Sequence, residues 1–523
     1  MPKREIERLQ LGAQHLDILR TLLGQHVPQA EVWAYGSRVN GDAHECSDLD
    51  LVLLNPQNLA ADTEGWMDLK DALQESCLPM LVDVHDWAHL PEDFHRNIEW
   101  NYVVVQEAEW QEVTLGDVAK IKHGFAFKGE FFTDEVTPNV LVTPGNFAIG
   151  GGFQIGKPKY YAGPLPKDYV LPEGEVVVTM TDLSKTSDTL GYAAKVPVTP
   201  GVTYWHNQRI GLLQVTDDLR VCKDWLHYLM RMHEYRAWIV GSASGTTVKH
   251  TSPSRIESFS FKLPPLPEQR AIARILGTLD ERIELNRRMN ATLEAMARAL
   301  FKSWFVDFDG VAAKDMQESE LGLIPKGWGL ASLDSIANYL NGLALQKFPP
   351  ENETGFLPVI KIAQLRAGNT EGADRASRQI KSEYIVEDGD VLFSWSGSLE
   401  VEVWTGGRGA LNQHLFKVTS SEVPKWFYYF ATRLHLPDFR AIAAGKATTM
   451  GHIQRRHLTA AKVVVPLPDA MVKFDAIIAP LFGQIINNAL RARTLAQLRD
   501  TLLPKLISGE LRIKDAERFV EAT

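Results

Sequence analysis

Two stretches of this chain carry the same apolar pattern about 200 residues apart, and that pattern restricts the fold more than any other feature. In PPLPEQRAIARILGTLDERIELNRRMNATLEAMARALFKSWF, from Pro264, the apolar residues Ile272, Leu276, Leu279, Ile283, Leu293, Ala297, Leu300 and Trp304 keep steps of four and three around one interruption. In PLPDAMVKFDAIIAPLFGQIINNALRARTLAQLRDTLLPKLI, from Pro466, Phe474, Ile478, Leu481, Ile485, Leu495, Leu502 and Leu506 do the same. Spacing of this kind is the seam of a long coiled-coil helix. Asn286 and Asn290 interrupt the first seam and Asn488 the second; a polar residue on a seam fixes register at a cost in stability. Two matched helices in one chain are most simply each other's partner. At about 1.5 Å per residue each spans on the order of 55 Å.

The segments ahead of the helices also pair in order. Glu112–Gly124 corresponds to Gly327–Gly342, and Tyr169-Val-Leu-Pro-Glu-Gly-Glu-Val-Val to Tyr384-Ile-Val-Glu-Asp-Gly-Asp-Val-Leu. His206-Asn207-Gln208 corresponds to Leu411-Asn412-Gln413, and Gly245-Thr246-Thr247 to Ala447-Thr448-Thr449. Each copy ends in a strand feeding its helix, at 259–263 and 461–465. Between these landmarks the copies diverge. The chain is a tandem repeat with a shared scaffold and two different surfaces.

A length of 523 residues exceeds one core and predicts three or four domains. The net charge of −10 argues against a nucleic-acid partner until it is located. Residues 1–110 hold 7 Lys+Arg against 20 Asp+Glu, a net of −13, which leaves +3 for the remainder. The acidity belongs to the N-terminal region, and the mildly basic remainder permits DNA binding. No run of about 18 apolar residues predicts a membrane span, and MPKREIERLQ lacks a signal-peptide core. Cys46, Cys77 and Cys222 have no metal-ligand spacing, so a reducing cytoplasm is the expected location.

In the acidic region, helical stretches around Ile6–Leu23 lead to a strand at 31–35, a turn at Gly36-Ser37-Arg38-Val39-Asn40-Gly41 and a second strand at Ser47–Leu54. On that strand Asp48 and Asp50 point the same way. Paired carboxylates are what Mg²⁺ needs when substrate phosphates supply most of its ligands, and the Gly-Ser turn can offer N–H groups to a phosphate. A third strand at Met80–His85 carries Asp83. This set resembles the minimal nucleotidyltransferase fold of the DNA polymerase β superfamily, with its GS-x₁₀-D-x-D signature. The resemblance covers roughly residues 10–105; Arg38, Gly41 and Ser47 match its fuller form. It implies metal-binding and catalytic roles for Asp48, Asp50 and Asp83 and nucleotide contact by Gly36 and Ser37. An inactive fold used for docking is the competing reading.

The repeat resembles the specificity subunit of type I restriction–modification systems over about residues 110–515. The best markers are Pro-Pro-Leu-Pro-Glu-Gln at 264–269, Leu-Phe-Lys-Ser-Trp-Phe at 300–305 and Leu-Ile-Ser-Gly-Glu-Leu at 506–511. The resemblance implies a multidomain α/β chain: an N-terminal nucleotidyltransferase-like domain (1–109), then two α/β target-recognition domains (110–263 and 324–465). Two long antiparallel coiled-coil spacer helices (264–310 and 466–515) separate them, with a linker at 311–323 and a tail at 516–523. It also implies a split, gapped DNA site, docking of methyltransferase subunits, and restriction subunits reached through the complex. Cleavage and methylation, with their S-adenosylmethionine and ATP, would belong to those partners. A spacer of about 55 Å is one and a half DNA turns of roughly 34–36 Å, which suits two readers in adjacent major grooves.

Candidate DNA contacts are Lys122 and Lys128 in the first copy, Lys249 in the segment Gly245–Arg255, and Lys446, Arg455 and Arg456 in the segment Gly445–His457. Lys and Arg would mostly neutralise phosphates; any single one is equally readable as a solvated turn residue. His206, His414 and His452 have no metal-ligand partner spacing and are expected to be ordinary surface or hydrogen-bonded histidines. Trp395 and Trp404 are expected to be core. The leading reading is a DNA-recognition subunit. The alternative is a metal-dependent nucleotidyltransferase acting on a protein or nucleic-acid partner, with the repeat as its targeting module. A third reading, a protein scaffold, is disfavoured because a scaffold gains little from two unlike faces.

Overall fold

The computed structural model describes the chain apart from residues 1, 2, 5, 45, 46, 57, 58, 108, 109, 183, 185, 186, 246, 247, 446–450, 522 and 523. Cys46, Thr246, Thr247, Lys446 and the Ala447–Thr449 landmark therefore lie outside the described residues. Two compact units are formed, one of residues 1–278 with 499–523 and one of residues 279–498.

The first unit begins with a five-stranded sheet in the order Lys3–Arg4, Tyr102–Gln106, Glu31–Tyr35, Leu49–Leu54, Val82–Asp86. Leu49–Leu54 lies antiparallel to Glu31–Tyr35 and parallel to Val82–Asp86. Its sequence is apolar on both faces because both faces are covered. Leu49, Leu51 and Leu53 meet Leu19 and Leu23 of helix Ala13–His26 and Leu69 and Leu73 of helix Trp66–Gln74. Val52 and Leu54 face Trp33, Tyr35, Trp87 and Ile98 on the opposite side. The strand alternation thus puts Asp50 on the second face. The expected early helices resolve into a short 3₁₀ turn, Ile6–Arg8, and the helix Ala13–His26.

The two repeats build corresponding pairs of sheets, the first repeat adding one edge strand, Phe132–Thr133. In the first, one sheet runs Val170–Leu171, Thr203–His206, Asn139–Val142, Tyr160–Tyr161, Phe132–Thr133, and the other Ala193–Lys195, Val176–Thr179, Ile210–Val215, Ala119–His123. In the second, the orders are Ile385–Val386, Gly409–Leu411, Phe356–Ile360, Arg375–Ser377, and Val401–Val403, Val391–Ser394, Leu415–Thr419, Asn338–Asn341. Each repeat has one parallel pair at the same place, Thr203–His206 with Asn139–Val142 and Gly409–Leu411 with Phe356–Ile360. In both, the strand preceding the long helix pairs with the strand that opens the repeat, Ser260–Leu263 with Gln111–Thr114 and Lys462–Val465 with Gly329–Ser332.

The long helices are Leu266–Lys302 (37 residues) and Pro468–Ile507 (40 residues). Within the 279–498 unit they run antiparallel: Asn290 donates to the Ile485 carbonyl at 2.9 Å, and farther along Trp304 meets Phe474 with ring centroids 4.7 Å apart. Ile272, Leu276, Leu279, Ile283 and Ala297 of the first stripe are buried, as are Ile478, Leu495, Leu502 and Leu506 of the second. The polar seam positions behave differently from one another. Asn290 reaches across to the other helix, while Asn488 is only 1 % exposed and accepts from Gln484 of its own helix at 2.7 Å. Asn286 bonds back to the Arg282 carbonyl of its own helix. The periodicity also missed Phe301, Phe305 and Phe482, which join the Trp426, Phe427, Phe430 and Phe439 core of the second repeat. Of these, Phe305 lies in a wider π-type turn, Ser303–Asp307, that ends the first helix.

Candidate functional site

In the N-terminal domain, strand pairing places Tyr35 opposite Asp50 and Asp50 opposite Asp83. Gly36 follows with φ 78°, a conformation open to glycine, and a Cβ there would lie 2.2 Å from Asp50 Oδ2. The carboxylate therefore sits directly against the Gly36-Ser37 backbone, which a side chain would forbid. The expected turn is a single helical turn, Ser37–Asn40. Arg38, 7 % exposed, donates to the carbonyls of Ser47 and Gln10 and so ties the segment preceding Asp48 to the domain. The strand begins at Leu49, leaving Asp48 exposed one residue ahead of it, because ladder pairing starts at Leu49 with Val82.

Burial first, then the nearby Asp83 and Asp48 charges, raise the Asp50 carboxyl above the usual range, and His85 partly offsets them. Burial first, then the Asp50 and Asp83 charges, raise the Tyr35 phenol. Tyr35 Oη and His85 Nδ1 are 3.1 Å apart, and His85 Nε2 lies 3.8 Å from Asp83 Oδ2. Among the described residues no three His, Cys, Asp or Glu side chains form a closed metal cage. The donor set nevertheless fits Mg²⁺, which takes one or two carboxylates and completes its shell with water and phosphate oxygens. A cation among these carboxylates would stabilise the ionised Asp50. Sequence reasoning had found neither Tyr35 nor His85, although His85 stands two residues after Asp83 on the same strand face.

The basic candidates in the repeats are not gathered into one cluster. Lys122 donates to the Asp168 carbonyl at 2.8 Å and lies over the Tyr169 ring. Lys128 is exposed beside Glu130 at 3.8 Å. Lys249 pairs with Asp182 in a two-residue ladder. Arg455 and Arg456 are both exposed; Arg455 also donates to the Tyr339 carbonyl at 3.1 Å and lies near the Phe416 ring, which gives it a structural task. His206 is fully buried against the Ile210 carbonyl at 2.8 Å, and burial lowers it to about 4, so it is neutral. Trp404 is core, 1 % exposed. Trp395 is half-buried at the rim, donating to Asn341 at 2.9 Å and facing His414 and His452.

The sequence matches the family model "Type I restriction modification DNA specificity domain" over residues 107–295 and 325–499. It matches "Polymerase beta, Nucleotidyltransferase" over residues 19–109. The type I restriction enzyme MjaIX specificity subunit of Methanocaldococcus jannaschii is 26 % identical over 358 residues, 66 % of this chain and 79 % of that protein. A probable protein adenylyltransferase, MntA, of Haemophilus influenzae is 45 % identical over 102 residues, 20 % of this chain and 88 % of that protein. A crystal structure of a type I restriction–modification S subunit from M. genitalium covers 76 % of this chain and 96 % of its own, at 16 % identity and a TM-score of 0.44. Two divergent copies of one α/β fold, each followed by a matched long helix, thus match the family model over most of the chain's length: this chain belongs to the type I restriction–modification DNA specificity family and carries an added N-terminal nucleotidyltransferase-like domain.

Proposed function

We propose that this chain reads a bipartite, gapped double-stranded DNA site as the specificity subunit of a type I complex, with residues 110–263 and 324–465 as the two recognition domains. The observation that carries this is the duplicated pair of sheets, alike in the order of their shared strands and unlike in surface, each leading into one of two antiparallel helices. Unlike readers on a common frame give an asymmetric site. The helices 264–310 and 466–515 would act as spacer and as docking surface for methyltransferase subunits, through which restriction subunits join. S-adenosylmethionine and ATP chemistry would reside in those partners. Of the basic candidates, Lys128 and Arg456 suit phosphate contact by their exposure, while Arg455 serves the fold.

A second reading attaches to residues 1–109 and rests on the geometry around Asp50. The domain would transfer a nucleotide from an NTP to a hydroxyl of a protein or nucleic-acid partner. Asp48, Asp50 and Asp83 would hold Mg²⁺, with Gly36 and Ser37 against the phosphates. The ion, when bound, neutralises phosphate charge and orients the reacting phosphoryl group. The chain's own part is to crowd three carboxylates and to bring the Gly36-Ser37 backbone into contact with Asp50.

Both readings are tested together. The chain, wild type and Asp48→Ala/Asp50→Ala, is co-expressed with its modification subunit in a methylation-free host, and modified bases are mapped. A gapped, asymmetric motif in both forms is the expected outcome; its absence in both, with the complex assembled, would refute DNA recognition. Labelled-nucleotide transfer is expected from the wild-type chain alone. Transfer that survives the double substitution would exclude this site.

A further inference from the structure

In each repeat four separate segments meet at one node, and the node is built from the same backbone hydrogen bonds. In the first, Phe125 N–H donates to the His206 carbonyl and Gln208 N–H to that of Phe125, both at 2.9 Å. Met180 N–H donates to the Arg209 carbonyl and Thr251 N–H to that of Met180, both at 3.0 Å. In the second, Leu343 N–H donates to the Leu411 carbonyl at 3.0 Å, Gln413 N–H to Leu343 at 2.9 Å, Trp395 N–H to His414 at 3.3 Å and Ile453 N–H to Trp395 at 3.0 Å. A bridge joins Phe125 to Asn207 in one copy and Leu343 to Asn412 in the other. Under each bridge a glycine admits the close approach: a Cβ on Gly124 would lie 2.0 Å from the Asn207 carbonyl oxygen, and one on Gly342 2.2 Å from that of Asn412.

The frame is therefore duplicated atom for atom while its contents are not. Asn207-Gln208 and Asn412-Gln413 are the same in both copies; the next residue is Arg209 in one and His414 in the other. Arg209 is exposed, and its guanidinium carries donors only. His414 is half-buried, with Ser396 Oγ 3.0 Å from Nδ1 and the Gln413 amide nitrogen 3.4 Å from Nε2. The Gln413 amide nitrogen can only donate, so Nε2 accepts from it and Nδ1 donates to Ser396; a base amino group reaching Nε2 takes the place of that amide. The two turns thus present opposite polarity from equivalent positions.

We infer that the residue after the shared Asn-Gln turn, Arg209 in the first recognition domain and His414 in the second, reads a base edge and sets one base of each half-site. The inference rests on the DNA-recognition reading above. Arg209 supplies the paired donors that match guanine O6 and N7, and His414 the acceptor that suits the amino group of adenine or cytosine. Opposite polarity at equivalent positions is how one duplicated frame yields an asymmetric site.

The test uses the full chain assembled with its modification subunit and maps methylation for Arg209→Gln and His414→Arg. Arg209→Gln is expected to reduce discrimination at one base of the first half-site by roughly tenfold or more, leaving the second half-site unchanged. His414→Arg is expected to move one position of the second half-site toward guanine. An unchanged motif in both variants, whether or not overall methylation falls, would overturn the inference, because a phosphate contact weakens all sequences alike. Should Arg209→Gln abolish methylation altogether, Arg209→Lys decides. A wild-type motif restored by the retained charge counts against base reading, and relaxed choice at a single base supports it. Absence of any gapped motif from the wild-type complex would instead refute the recognition reading itself.

Discussion

The two repeats share a main-chain frame and differ in what hangs from it. The order of the shared strands, the single parallel pair, the closing ladder and the four hydrogen bonds of the node recur in both, while the edge strand Phe132–Thr133 belongs to the first alone. Met180 in one is Trp395 in the other, Phe125 is Leu343, and Arg209 is His414. A frame whose contacts are main-chain bonds and glycine approaches tolerates exchange of the side chains around it, which is what a family of readers with different targets requires. The core of the second repeat extends into the flanking helices through Phe301, Phe305, Ile478 and Phe482.

This contrast can be broken at its strongest point with Phe427→Ala. Phe427 is fully buried among Phe301, Phe305 and Trp426, and its truncation is expected to cost about 3–5 kcal/mol. Denaturant unfolding of the full chain should show an early transition for residues 279–498, while the N-terminal domain unfolds at its wild-type midpoint.

A pH experiment separates the same unit by charge. Burial raises Glu402 from the ordinary 4.5 to about 7, with Glu294 and Glu400 adding to the rise and Arg433 and Arg440 opposing it. A raised carboxylate stabilises the fold fully below pH 4.5, and that contribution drains away as pH climbs, gone above about 7. The loss is expected to be on the order of 2–3 kcal/mol, read as a falling melting temperature between pH 5 and 8 that Glu402→Gln flattens.

The node itself is tested with Gly342→Ala. The added Cβ meets only backbone atoms of Leu411 and Asn412, which cannot swing aside, so a cost of about 1–3 kcal/mol is expected. Gly124→Ala should cost a similar amount in the first repeat, where the obstacle is the Asn207 backbone. Unequal costs would show that the two frames are not equivalent.

The smallest effect concerns the helices. Asn290 Oδ1 and Asn488 Nδ2 are buried with no hydrogen-bond partner among the described residues. Asn488→Leu is expected to raise stability by about 1 kcal/mol, since a buried unmet donor is removed, and to weaken the register that the polar pair enforces. A loss of stability would show that Asn488 is better satisfied than its surroundings indicate.

Much of this molecule was legible because its signals are local in the chain. Helical periodicity exposed the two long helices, and spacing alone brought Asp48, Asp50 and Asp83 to one end of a sheet. Ordered landmarks such as Asn207-Gln208 and Asn412-Gln413 revealed the repeat. The same reasoning stalled where partners come from distant segments. It did not foresee that Arg455 donates to the carbonyl of Tyr339, more than a hundred residues earlier. It treated Asn286 and Asn290 alike, although only Asn290 reaches across to the other helix.

The sequence by itself determined the element types, the duplication, the nucleotidyltransferase signature and the membership of a specificity family, because each depends on residue order and period. Only the tertiary structure decided which side chains share an environment. Tyr35 and His85 join the carboxylates through strand pairing, Phe301 and Phe305 pack into the core of the second repeat, and Arg209 and His414 become counterparts through four backbone bonds. Those contacts span tens to hundreds of residues, and no local pattern in the chain encodes them, because they form only when the sheets close.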